Sequence, residues 1–227
     1  MESLSIYSFV AIGTGLMLFV TMPSGKHYGQ AWWKTALATI CLAMIGLAGA
    51  VLMFRIESGS WGGRSFFGAL FLPPLAMIPI GLLLRYPYRK LIDICAPGEC
   101  IMLALLKSKC YADGCCYGRV IRFDAHQGIV RFPSQLVELG TALILAVILM
   151  IVLFRMKREG YIYPIYMVLY GVFRFVLNLF RETEPFFMGL PAGNMWSIVS
   201  FVLGLVWIIV LYFGIYQKDI RLSPAEK

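Results

Sequence analysis

Three polar blocks interrupt an otherwise apolar chain, and their residue types point to anion chemistry at a membrane. The first is Arg131-Phe-Pro-Ser134-Gln135-Leu-Val-Glu138, at the start of a long apolar run. The second is Tyr170-Gly-Val-Phe-Arg174-Phe-Val-Leu-Asn178-Leu-Phe-Arg181, ending near Glu184. Tyr170, Arg174 and Asn178 are four residues apart, so a helix presents them on one face. Arg181 and Glu184 would sit at or just beyond its end. A guanidinium in hydrocarbon is costly and needs an anionic partner, which is either a carboxylate or a phospholipid head group. Glu138 is the nearest candidate carboxylate, with Asp93 and Glu99 as further ones. An Arg174–Glu138 pair that only ties two helices together is the alternative to a lipid site. Ser134 after Pro133 suits a helix N-cap. Capping does not explain Gln135 and Glu138, which fall in the first turns of a membrane helix.

The third block is Lys107-Ser-Lys109-Cys110-Tyr-Ala-Asp113-Gly114-Cys115-Cys116-Tyr117-Gly118-Arg119, and it holds three of the six cysteines. Cys41, Cys95 and Cys100 lie in apolar runs and read as core packing. The vicinal Cys115-Cys116 pair has no second cysteine pair and no ligand-spaced histidine, and His126 alone is not enough, so no metal site or cofactor is expected. Cys110 bridged to Cys115 or Cys116, and free or reactive thiols, both remain open.

These blocks must be held by membrane helices. The chain has 227 residues, 60% hydrophobic and 14% charged, against about 25% charged in soluble domains. Its mean hydropathy is +0.78. The formal net charge of +8 lies mostly in short loops, where basic residues set topology and touch anionic lipid, so nucleic acid is not expected as a partner. Met1-Glu2 offers no basic leader, and the first apolar run is expected to stay as a span.

Seven apolar runs are near the length a span needs: Leu4–Met22, Ala31–Phe54, Ser65–Leu84, Leu91–Leu106, Leu136–Phe154, Tyr161–Phe180 and Met195–Tyr216. The fourth is short and carries Asp93, Pro97 and Glu99, which suits a broken or re-entrant helix. The third holds Pro73, Pro74 and Pro79 and should kink. No repeat or soluble domain is evident, so residues 1–227 read as one transmembrane domain. The fold class expected is an all-α, polytopic integral membrane bundle of seven transmembrane segments. Basic residues at Lys26, Arg85, Arg89, Lys90, Arg155, Lys157, Arg158, Lys218 and Arg221 place the N-terminus outside and the C-terminus in the cytoplasm. The basic loop 107–131 is then external against that rule, which suits binding of a lipid phosphate. Arg64, in the glycine-rich loop Ser58-Gly-Ser-Trp-Gly-Gly-Arg-Ser65, precedes Phe66-Phe67-Gly68, whose glycine suits close packing or lipid approach.

From Gly62 to Gly204 the ordered motifs resemble the prolipoprotein diacylglyceryl transferases, bacterial inner-membrane enzymes. Leu91-Ile-Asp93-Ile-Cys-Ala96-Pro97 looks like the family's aspartate and alanine-proline segment. Asp113-Gly114 with Tyr117-Gly118 looks like its asparagine-glycine-glutamate stretch. Pro133-Ser134-Gln135-Leu136 with Glu138 matches its proline-serine-glutamine-leucine-tyrosine-glutamate motif, with Val137 in place of tyrosine. Tyr170-Gly171, Arg174-Phe175 and Arg181 match its tyrosine-glycine and two arginines. Gly193-Asn194 with Ser197 looks like the opening of its last helix.

The resemblance implies transfer of a diacylglyceryl group from phosphatidylglycerol to the lipobox cysteine of a preprolipoprotein, at a bacterial plasma membrane. It also implies a phosphate held by Arg174, with help from Arg181, Arg119 and Lys107. Ser134, Gln135, Tyr170 and Asn178 would shape the pocket, and Asp113 or Glu138 would act as base, or Cys115 would act directly. Four positions depart from the family pattern. Its histidine-glycine-glycine element is Phe67-Gly68-Ala69, its glutamate after asparagine-glycine is Cys115, the glutamate four after the key arginine is Asn178, and Lys107 replaces an arginine. A membrane thiol–disulfide oxidoreductase, a small-solute transporter and a non-catalytic lipid-binding paralogue are the competing readings.

Overall fold

The computed structural model describes residues 6–124, 128–182, 185–187 and 189–222. Expectations placed on Met1, Glu2, His126 and Glu184, and on the side chains of Lys218 and Arg221, lie outside the described residues. Seven helices occupy the positions of the seven apolar runs: α1 (Ile6–His27), α2 (Trp32–Ser58), α3 (Phe66–Leu84), α4 (Tyr88–Ala112), α5 (Ser134–Arg155), α6 (Ile162–Asn178) and α7 (Ala192–Leu222). Five of them, all but α4 and α6, are long and apolar enough to cross a membrane. The chain is thus a helical membrane protein. Its outward faces carry exposed Phe19, Leu82, Leu83 and Val210, as contact with hydrocarbon requires.

The fourth run is corrected. It is not broken: α4 continues through Pro97 for 25 residues, with every residue from Leu91 to Cys100 buried. Helices α1, α2, α3, α5 and α6 all pack on it. It tolerates Asp93 because groups outside α4 satisfy it. Backbone N–H groups of Gly160 and Ile162 donate to Asp93 at 2.6 and 2.9 Å, and the Tyr28 hydroxyl donates at 3.1 Å. Glu99 lies 3.0 Å from the Tyr163 hydroxyl. Asp93 and Glu99 are therefore not partners of Arg174.

Helix α3 also runs through its three prolines. Pro74 has no N–H for the carbonyl of Leu70, and the Tyr163 hydroxyl donates to that oxygen instead, at 2.7 Å. At Gly68 the backbone of α3 meets that of α2 at Gly49, and a Cβ at either glycine would strike the other's carbonyl. The glycine serves helix packing rather than lipid approach.

The all-α expectation missed two short antiparallel hairpins. Strand β1 (Val120–Asp124) pairs with β2 (Gly128–Arg131), with Phe123 opposite Ile129. Strand β3 (Pro185–Phe187) pairs with β4 (Leu190–Pro191). Ile121 and Phe123 recur at the period of two that marks a strand. Both hairpins stand at the end of the bundle where α4 and α6 finish and α5 and α7 begin.

Candidate functional site

At that end, Glu138 sits one turn into α5, almost wholly buried, and faces three cations. Its Oε1 lies 2.5 Å from Arg174 Nη1, and its Oε2 lies 2.8 Å from Lys107 Nζ and 3.5 Å from Arg181 Nη1. Helices α4, α5 and α6 each contribute, so the Arg174–Glu138 pair weighed as the alternative to a lipid site exists, as one of three ion pairs to the same carboxylate. One carboxylate against three cations leaves two positive charges in excess. Burying charge is costly unless it is compensated.

The surrounding polar atoms are under-used. Among the described residues, the Tyr170 hydroxyl, Gln135 Oε1, Arg174 Nε, both amide atoms of Asn178 and Asn194 Oδ1 are buried without a hydrogen bond in the protein. Each such group costs about 1–3 kcal/mol unless something satisfies it. Asn178 is accommodated because residue 193 is glycine; a Cβ there would collide with its amide. Tyr170 is wedged against Phe66 and Phe67, ring centroids 5.2 and 5.8 Å away. Phe67 is thus aromatic core.

Beside this cluster an apolar slot of about 300 Å³ runs along α4, between α1, α2 and the start of α3. Met17, Leu42, Gly46 and Ala50 line its wall and Glu99 its inner end, while Arg64, Lys107, Lys109 and Asp113 stand at its mouth with the three cysteines. Glu99 and Lys107 are eight residues apart on one helix, so the slot extends about 12 Å along it. Lys107 belongs to both slot and cluster. Arg174 does not line the slot.

Several sequence expectations are placed differently. Ser134 is not an N-cap: Pro133 holds that position, and the Ser134 hydroxyl donates to the carbonyl of Cys116 at 2.6 Å. Gln135 Nε2 donates to the carbonyl of Cys115. Both fasten the cysteine loop to α5. Arg119 is outside the cluster, exposed, with its guanidinium 5.3 Å over the Phe180 ring. Arg131 pairs with Glu182, at 3.5 Å on the surface. Asp113 pairs with Lys109 at 2.8 Å and faces the slot mouth.

All six cysteines are free. Cys95 and Cys100 are buried in the core as expected, whereas Cys41 is half-buried. The sulfurs of Cys110, Cys115 and Cys116 all lie within 4.8 Å of one another. The spacing argument against a metal site therefore does not hold in space. Cys116 is held below the usual thiol range by a hydrogen bond from Cys110, with burial opposing and Lys107 assisting. Cys115 is pushed up, chiefly by burial. Sequence reasoning missed the slot wall from α1 and α2; the signal it passed over was the small residues Gly46 and Ala50 on α2.

Compared with known proteins, the chain matches the family model described as prolipoprotein diacylglyceryl transferase over residues 3–210. It is 33% identical over 162 residues to the phosphatidylglycerol–prolipoprotein diacylglyceryl transferase of Geobacter sulfurreducens, covering 66% of this chain and 62% of that one. Against the protein of the same name from Paracidovorax citrulli it is 28% identical, over 65% and 60%. For that from Helicobacter hepaticus the figures are 35%, 46% and 39%. The aligned part thus spans about three fifths or less of these relatives' lengths.

Proposed function

This chain belongs to the prolipoprotein diacylglyceryl transferase family, and on that premise we propose that it transfers a diacylglyceryl group from phosphatidylglycerol to the lipobox cysteine thiol of a preprolipoprotein. The supporting observation is the surplus of partly buried cations around the buried Glu138 beside an apolar slot. An anionic head group neutralises the excess charge, and apolar chain fits the slot. In the reaction the incoming thiol loses its proton and its sulfur bonds to the glyceryl carbon. The carbon–oxygen bond to phosphate breaks, and glycerol phosphate leaves with the bonding electrons.

Each role follows from surroundings. Lys107, at the slot mouth, meets the phosphate, and Arg174 and Arg181 stabilise the charge that grows on it as it leaves. Glu138 is committed to three cations, so it positions them instead of taking a proton. Asp113, at the mouth with only Lys109 as partner, is the better base. Tyr170 and Asn178 offer donors still free to reach the head group, while Ser134 and Gln135 brace the adjoining loop.

The arrangement belongs to one domain of seven spans, with α4 and α6 crossing inside a shell of the five more apolar helices. The N-terminus is external, the C-terminus cytoplasmic, and the membrane a bacterial plasma membrane. The hairpin end then faces outward, where secreted preprolipoproteins present the lipobox.

The test gives purified protein radiolabelled phosphatidylglycerol and a lipobox peptide. The intact chain should form labelled thioether, and Arg174→Ala should lose at least about a hundredfold in rate. No transfer by folded intact protein would leave a lipid-binding paralogue in its place.

A further inference from the structure

The three thiols at the slot mouth have no necessary part in that reaction. We infer that Cys110, Cys115 and Cys116 form a three-thiolate site for a thiophilic d10 cation, copper(I) or zinc.

Geometry carries the inference. The three sulfurs lie within 4.8 Å of one another. Metal–sulfur bonds of about 2.3 Å put sulfurs about 4 Å apart, so small side-chain shifts complete the triangle. Neighbouring side chains in an extended chain point to opposite sides, so vicinal cysteines do not ordinarily converge. Here Cys116 adopts a φ of +62°, a left-handed conformation uncommon for a residue with a Cβ. That turn brings the sulfurs of Cys115 and Cys116 to one side. Gly114, at φ +67°, brings the chain off α4 so that both reach Cys110.

The loop is braced in this shape. The N–H of Cys115 donates to the carbonyl of Cys110 at 3.0 Å. The carbonyls of Cys115 and Cys116 accept from Gln135 and Ser134, both wholly buried on α5. A backbone held in an uncommon conformation from both sides is a feature of ligand clamps. Donor chemistry sets the ion class. Three sulfurs select a soft or borderline cation and disfavour magnesium or calcium. Copper(I) is satisfied by three thiolates, whereas zinc takes a fourth ligand, from water or an anionic oxygen. Binding expels thiol protons to solvent, and Lys107 and Arg181 nearby offset the negative charge left on the sulfurs.

The test titrates full-length protein in detergent, reduced and anaerobic, with copper(I) against a chromophoric chelator, and separately with cobalt(II) as the probe for zinc. One equivalent should bind per chain in at least one arm, the cobalt arm showing thiolate-to-metal charge transfer that zinc displaces. Serine at position 110, 115 or 116 (C110S, C115S, C116S) should weaken binding roughly a hundredfold or more, and Cys41→Ser should leave it unchanged. Because Cys115 is exposed, C115S removes a sulfur without disturbing the core. The inference is overturned if neither metal binds above the level of the triple serine variant. It is equally overturned if trapping thiols in whole cells reveals a disulfide among the three. Neither readout depends on the transfer reaction.

Discussion

Of the three carboxylates buried on or against α4, Asp93 and Glu138 are treated in opposite ways; Lys107, which pairs with Glu138, stands about 21 Å along the α4 axis from Asp93. Asp93 meets two backbone N–H groups and the Tyr28 hydroxyl, with no cation in hydrogen-bond reach among the described residues. Its donors come from the residue that follows α1 and from the turn into α6, and the site is complete. Glu138 meets three cations, which exceed what one carboxylate can neutralise, and unpaired polar atoms surround it. A complete site locks helices together. An over-supplied one holds charge ready for something that arrives, which is why α4 can be both the structural hub and one wall of the proposed site.

The contrast can be broken from either side. The largest effect is expected for Glu138→Gln, which leaves Arg174, Lys107 and Arg181 without a counter-charge. Thermal unfolding in detergent should show a loss of about 3–5 kcal/mol, with transfer abolished. Lys107→Ala should separate the two properties: transfer falls about a hundredfold while unfolding shifts by less than about 1 kcal/mol, since a surplus cation has been removed. Lys107→Arg should recover part of the rate.

Asp93→Asn should do the reverse. It costs about 1–3 kcal/mol as N–H groups lose their charged acceptor, yet the rate per folded molecule stays unchanged in the same assay. A rate loss as large as that of Lys107→Ala would erase the distinction between the two ends. Arg119→Ala should be nearly silent, costing no more than about 1 kcal/mol for its contact with Phe180 and leaving transfer intact.

What the sequence disclosed divides along similar lines. The apolar runs located the helices closely; the third, Ser65–Leu84, became Phe66–Leu84. Glu138 and Arg174 were legible because a charge inside an apolar run demands a reason, whereas Lys107 and Arg181, outside the runs, were picked out by the basic loop and by the family resemblance. The continuity of α4 was not, since the partners that make Asp93 tolerable are 67 and 69 residues away. Ser134 looked like a cap because its type and position suit one, and only the folded loop reveals the Cys116 carbonyl it serves. Arg119 looked like a phosphate ligand until Phe180 was found beneath it. The cysteine cluster was hidden because a positive φ at one residue brings together side chains that linear spacing sets apart.

The central claim is that surplus positive charge at the mouth of the slot selects an anionic head group. The most direct measurement is equilibrium binding of radiolabelled phosphatidylglycerol to purified protein in micelles, competed with phosphatidylcholine, for the intact chain and Lys107→Ala. A clear preference for phosphatidylglycerol that falls about tenfold in the variant is the predicted result. Equal affinity for the two lipids in the intact protein, or a preference untouched by Lys107→Ala, would contradict the account.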